Sequence, residues 1–167
     1  MDISFQFSTT NDPLSKMIRD KTHSKFSHVD IVTSEGLLLG SQYSEPDGDG
    51  VRIRQPNYQN FSFKEIVTIT ATTEQHDAFW RFLYNQVGKP YDTESIIDIG
   101  IGIDLFHRNW RDDDSWFCSE LAAAGVETSG ILVFKKDLNW IDPQYFYISI
   151  YPLRKLWAEK STKISLI

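Results

Sequence analysis

The sequence lacks several features that define whole classes of protein. It contains a single cysteine among 167 residues, which excludes an intramolecular disulfide framework. It has no run of about 18 apolar residues, the length that a membrane-spanning helix needs. Its first residues show no basic segment followed by an apolar one, the pattern of a signal peptide. We therefore expect a protein with no integral membrane segment that is cytoplasmic as synthesised.

Positive charge is also scarce. The chain has 17 Lys and Arg residues against 23 Asp and Glu residues, which gives a formal net charge of −6. The nearest approaches to a basic cluster are the pairs Lys135-Lys136 and Arg154-Lys155. A protein that binds phosphate backbones needs a much larger basic surface. We therefore expect no nucleic-acid partner, and no pattern indicates an oligomeric state.

What the sequence has in quantity is aromatic and apolar residues. Aromatic residues make up 14% of the chain and hydrophobic residues 41%. The length fits one domain, which we place over residues 1–167, with enough apolar side chains for a sizeable core. The aromatic excess is compatible with a dense core, with a groove for ligands, or with both.

Local patterns predict an α+β fold, because helices flank a run of strands that suit antiparallel pairing. Alternating or β-branched residues predict strands at residues 3–7, 29–32, 37–39, 51–54, 66–71 and 145–151. Helical spacing predicts one helix after Pro13, a second over residues 73–87 and a third over about residues 117–128. Ser34-Glu35-Gly36 is typical of a hairpin turn.

Cys118 lies where the third helix is predicted to begin. Polar residues at 113–115 are typical of a helix start, and the alanines after Cys118 favour a helix. In the first turn, free N–H groups and the positive end of the helix dipole stabilise a thiolate and can hold an oxyanion. From the spacing alone, a buried packing cysteine beside Trp116 and Phe117 is the simpler interpretation.

His28 begins a predicted strand, and the period of two puts His28 and Asp30 on one face and Val29 and Ile31 on the other. An imidazole that faces a cleft can take a proton from a thiol near neutral pH. Taken alone, a half-exposed histidine without a role explains the position as well. The other histidines have no metal-ligand spacing to Cys118 or to carboxylates, so no metal site is expected.

Taken together, these segments resemble the circularly permuted NlpC/P60 proteins, papain-like cysteine hydrolases related to the YiiX-like and lecithin:retinol acyltransferase-like proteins. The matching stretches are residues 2–3, 14–19, 25–32, 50–52, 88–92 and 116–121. They follow the family order and cover roughly residues 2 to 150. The specific ones are Ser27-His28-Val29 and Phe117-Cys118-Ser119-Glu120-Leu121. The resemblance implies a permuted papain-like α+β fold, with a curved antiparallel sheet packed against the helix that carries Cys118.

The resemblance also implies a chemistry. Cys118 would be the nucleophile and His28 its base, in a hydrolase that cleaves an amide bond of a peptide or peptidoglycan-type substrate without a metal or other cofactor. The substrate would be a small peptide or an acyl compound, and a phage or prophage source suits this variant. Two alternatives stay open: an acyltransferase or thioesterase of the lecithin:retinol acyltransferase-like type, and a non-catalytic binding or structural domain that keeps the fold.

One position departs from the family pattern. The family usually has a polar residue about twelve positions after the base, on the next strand, where it orients the imidazole; here that position is Gly40. Gln42, two residues further and on the same strand face, is the candidate replacement, and an exposed strand residue without a role is the alternative. Tyr91 falls where the family often lines its cleft, so it is a candidate for contact with substrate or oxyanion.

Overall fold

The computed structural model describes residues 1–43, 48–93, 114–138 and 141–154. In chain order the elements are strand β1 (Asp2–Thr9), helix α1 (Pro13–Thr22), strands β2 (His28–Val32), β3 (Leu38–Gln42), β4 (Gly50–Arg54) and β5 (Phe63–Thr70), helices α2 (Thr73–Gln86), α3 (Cys118–Thr128) and α4 (Pro143–Ile150), and a 3-10 turn (Tyr151–Leu153). The fold is α+β, as predicted. Within these ranges, no helix has both the length and the apolarity that crossing a bilayer requires.

The five strands form one antiparallel sheet in the order β4-β3-β2-β1-β5. Phe5 of β1 lies opposite Ile31 of β2 on one side and Val67 of β5 on the other. All three side chains are buried, because this face of the sheet carries the helices. Helix α3 packs on β2 and β3, and α2 and α4 pack on α3.

Small side chains allow α3 to lie close to its neighbours. Ala122, Ala123 and Ala124 are all buried. At Gly125, an added Cβ would lie 2.9 Å from Cε2 of Phe79 on α2, too close for an ordinary contact. The helix that begins at Cys118 is therefore held against both the sheet and α2 by close packing.

The predicted strand at residues 145–151 is wrong, since these residues lie mostly in helix α4. Asp142 caps the helix by accepting a hydrogen bond from the Tyr145 N–H at 2.8 Å, and Pro143 occupies the first turn. Phe146 and Ile150, four residues apart, are both fully buried on one helix face. The apolar and aromatic residues between them hide that helical period, so the sequence looks like an alternating strand.

Candidate active site

Cys118 is the first residue of α3, as the sequence predicts. The residue before it, Phe117, has extended backbone and donates its N–H to Oε2 of Glu120 at 3.2 Å. The N–H groups of the first turn have no acceptor within the helix and surround the Cys118 position. Asp114 lies in the turn before α3, and Asp113 falls outside the described residues.

Hydrogen bonds from two other elements fix the start of α3 through Trp116. Ser41 of β3 donates its hydroxyl to the Trp116 carbonyl at 2.6 Å, and the Asp92 N–H donates to the same carbonyl at 3.1 Å. The Trp116 N–H donates to the Pro90 carbonyl at 3.1 Å. The position of Cys118 is thus tied to the sheet and to the segment that follows α2.

His28 is the first residue of β2, and its side chain is 11% exposed. Its Nε2 lies 3.0 Å from Oδ1 of Asp30 and 3.1 Å from the hydroxyl of Tyr58. The thiol of Cys118 is also within hydrogen-bonding reach of the imidazole. The two residues singled out in the sequence, 90 positions apart, therefore meet in the structure.

The surroundings of His28 favour its charged form. Burial by itself lowers the pKa of the imidazole, but the Asp30 carboxylate and, after it, the Cys118 side chain outweigh that effect. Together they raise the pKa of His28 from 6.5 to about 10. The imidazole of the folded protein is consequently protonated at neutral pH.

Asp30 and Tyr58 are parts of the site that sequence reasoning missed. Asp30 is fully buried, and its Oδ2 accepts a hydrogen bond from the Tyr58 hydroxyl at 3.0 Å. Its Oδ1 makes the ion-pair contact with His28 but receives no well-aligned hydrogen bond. Burial and then the Asp30 charge raise the pKa of Tyr58 far above its usual value, so the hydroxyl keeps its proton. The guanidinium of Arg54 lies 5.5 Å from the Tyr58 ring centroid.

Gly40, at the family position of the orienting residue, and Gln42, its candidate replacement, both lie near Asp30 and Tyr58. At Gly40, an added Cβ would lie 2.0 Å from Oδ1 of Asp30, so the Asp30 carboxylate fills the space beside this glycine. Gln42 lies near the site, with its Oε1 3.5 Å from the Tyr58 hydroxyl and its Nε2 donating to the Tyr43 carbonyl at 3.3 Å. The contacts to Nε2 of His28 come from Asp30 and Tyr58.

Tyr91 is mostly buried and lies close to Cys118. Its ring packs 5.9 Å from that of Phe117 and 5.7 Å from that of Tyr43. Burial, followed by the nearby Cys118 and Glu120, raises the pKa of Tyr91 well above its usual value. A neutral hydroxyl therefore stands close to the sulfur.

A cleft of about 580 Å³ opens beside this group. Its lining includes His28, Gln42, Tyr43 and Tyr91, together with residues 8–12 and the first part of α1. Cys118 is only 1% exposed and does not contribute to the lining. The sulfur is therefore buried behind side chains that line the cleft, such as those of His28 and Tyr91.

Comparison with known proteins supports the fold and goes no further. No protein-family model matches the sequence, and no curated protein is similar enough to count as a relative. Among solved structures, the chain resembles the crystal structure of the metalloprotein YiiX from Escherichia coli O157:H7, with 18% sequence identity and a TM-score of 0.51. The match covers 75% of this chain and only 64% of YiiX. At this identity, the likeness is one of fold alone.

YiiX is a metalloprotein. In the described part of this chain, no three His, Cys, Asp or Glu side chains come together as a set of metal ligands.

Proposed function

We propose that this protein is a papain-like cysteine hydrolase in which Cys118 is the nucleophile and His28 moves its proton. The observation that carries the proposal is the contact between the His28 imidazole and the Cys118 thiol at the first turn of α3. The proposal includes the finer parts of the resemblance: a permuted NlpC/P60 domain, an amide bond in a peptide or peptidoglycan-type substrate, and a phage or prophage source.

In the proposed reaction, His28 already holds the thiol proton in the resting imidazolium–thiolate pair, and the sulfur attacks the carbonyl carbon of the bound amide. N–H groups of the first turn of α3 hold the oxyanion, since the helix dipole favours negative charge there. The tetrahedral intermediate then breaks its C–N bond, and His28 gives its proton to the leaving amine. Water attacks the resulting thioester, returns a proton through His28 and releases the acid, which restores Cys118.

The lining of the cleft carries groups that can bind a peptide backbone. Most of the lining residues have hydroxyl or amide side chains, and the charged ones are Asp12 and His28. More of the exposed lining surface is apolar than polar, so an acyl chain also has surface to pack on. We propose a peptide amide as the substrate, and the assay below sets an acyl ester against it.

A non-catalytic binding domain is the second candidate function, and the observation that favours it is the burial of Cys118.

In the proposed hydrolase, the acyl group of the substrate reaches the buried sulfur when Tyr43 and Tyr91 move aside. Tyr43 is 43% exposed, so its ring is free to shift on its outer side. Tyr43→Ala should therefore speed labelling of Cys118 by iodoacetamide at constant pH, and an unchanged rate would contradict this route of access.

The test of the function is turnover together with the trapped intermediate. Peptide p-nitroanilides, p-nitrophenyl acetate and p-nitrophenyl palmitate would be offered to the protein, and the acyl-enzyme would be sought by intact mass. We expect turnover of the peptide amides, acylation at Cys118, and loss of both in Cys118→Ser and His28→Gln. His76→Gln, which changes a histidine on α2, serves as the control and should be fully active. Turnover that survives Cys118→Ser would refute the proposal, and no acylation by any substrate would favour the binding domain.

A further inference from the structure

Asp30 and residue 40 compete for one place next to His28. The Asp30 side chain is fully buried, and a Cβ on residue 40 would lie 2.0 Å from its Oδ1. Real Cβ atoms essentially never come within 3.0 Å of another heavy atom in this way. The Asp30 carboxylate can therefore occupy this place only because residue 40 is glycine. Any larger residue at position 40 would displace it.

The hydrogen bonds around Tyr58 define which partner each nitrogen of His28 faces. An ionised carboxylate can only accept hydrogen bonds, so the Tyr58 hydroxyl donates its hydrogen bond to Oδ2 of Asp30 at 3.0 Å. Toward His28, 3.1 Å away, the same hydroxyl can then only accept. Nε2 therefore donates, and Nδ1 is the nitrogen left for the thiol of Cys118.

We propose that Asp30 is the positioning residue for His28, acting across the 3.0 Å ion-pair contact and through the Tyr58 hydroxyl, in a space that Gly40 leaves open. This inference rests on the proposed function. The carboxylate comes from the strand of the base itself, two residues along, and not from a side chain of β3. Asp30 and Tyr58 fix the orientation of the ring, and they hold a positive imidazolium beside the sulfur.

The inference can be tested by the pH profile of Cys118 alkylation with iodoacetamide, which a merely structural role would not shift. The groups that act on this pair or its close neighbours are Asp30 on β2, Asp49 before β4, Arg54 on β4, Tyr58 after β4, Tyr91 after α2 and Glu120 on α3. We expect the wild-type protein to react at pH 6, well below the range of a free thiol, whose pKa is about 8.5.

Asp30→Asn should slow alkylation at pH 6 by about tenfold or more, because the imidazolium that stabilises the thiolate is lost. Tyr58→Phe should shift the profile in the same direction by a smaller amount. Asp77→Asn is the matched control: it removes a carboxylate beside another imidazole, that of His76 at 3.4 Å, but on the exposed surface. Its profile should coincide with that of the wild type.

An exchange variant guards against a simple folding defect. Asp30→Gly and Gly40→Asp should each lose the low-pH reactivity, and the double exchange should recover part of it by supplying the carboxylate from β3. Circular dichroism would check that each variant is folded. If folded Asp30→Asn matches the wild type, or if the double exchange is no better than either single variant, the inference is overturned while the proposed function stands. If the wild-type protein already shows a free-thiol profile, the proposed function itself fails.

Discussion

Raising the pH from 6.5 toward 10 should destabilise the folded chain through His28. The pKa of this side chain is about 10 in the folded protein, against 6.5 for a free histidine. Because the folded pKa is the higher one, the stabilisation is fully present below pH 6.5 and is lost as the pH rises through the folded value. In a chain without the Cys118 thiol, the native state in that window holds one proton that the unfolded chain has released. The slope is at most about 1.4 kcal/mol per pH unit.

The measurement is urea unfolding, followed by tryptophan fluorescence between pH 6.5 and 9. It should use a Cys118→Ala background, because in the wild-type protein the proton that His28 holds is the one that Cys118 has given up. Below about pH 8.5, the free-thiol pKa, the folded and unfolded pairs then bind the same number of protons and the slope vanishes. Without the Cys118 side chain the folded pKa of His28 is lower, so the pH range over which stability falls ends at a lower pH. Stability still falls as the pH rises, because Asp30 is the larger of the two causes that raise the pKa. Adding Asp30→Asn should flatten the slope, and adding Asp77→Asn should leave it intact. An unchanged slope with Asp30→Asn, or stability that rises over this range, would refute the reasoning.

Three further predictions concern the packing that holds the site, each measured as the free energy of unfolding in urea. Ser41→Ala should cost about 1 kcal/mol, because the Trp116 carbonyl loses one donor but keeps a second; a loss above about 3 kcal/mol would contradict this. Phe146→Ala should cost about 3–5 kcal/mol, whereas Ile148→Ala on the exposed face of the same helix should stay within about 0.5 kcal/mol, and equal effects would disprove the assigned face. Gly125→Ala should cost about 1–3 kcal/mol through overpacking against α2, and a stabilised variant would show that the helices can separate freely.

Much of the scaffold could be predicted from local pattern. Alternation of apolar residues in β1 and β2 predicts strands and the faces they bury, since the pleat has a period of two. The alanine-rich run after Cys118 predicts the helix, because the residues favour it locally and nothing interrupts it. Most differences lie at the ends, where β5 begins at Phe63 and not at Ile66.

The rest could not be predicted, because it depends on contacts between distant segments. The carboxylate of Asp30 was expected on the same face as His28, but its role depends on the empty space at Gly40 across the strand pair. Tyr58 lies in the connection between β4 and β5. The local sequence there indicates only a turn, in which the Tyr58 N–H donates to the Gln55 carbonyl. No residue spacing indicates that its hydroxyl reaches β2.

The most direct test of the account is a side-chain nitrogen NMR titration of the four histidines, labelled with nitrogen-15, from pH 5 to 9. The account predicts that one imidazole keeps its proton beyond pH 8. Its signals should be missing from His28→Gln and should move in Cys118→Ala. If instead all four rings lose their protons near pH 6.5, or if the His28 signals do not respond to removal of the sulfur, the thiol and the imidazole do not act as a pair.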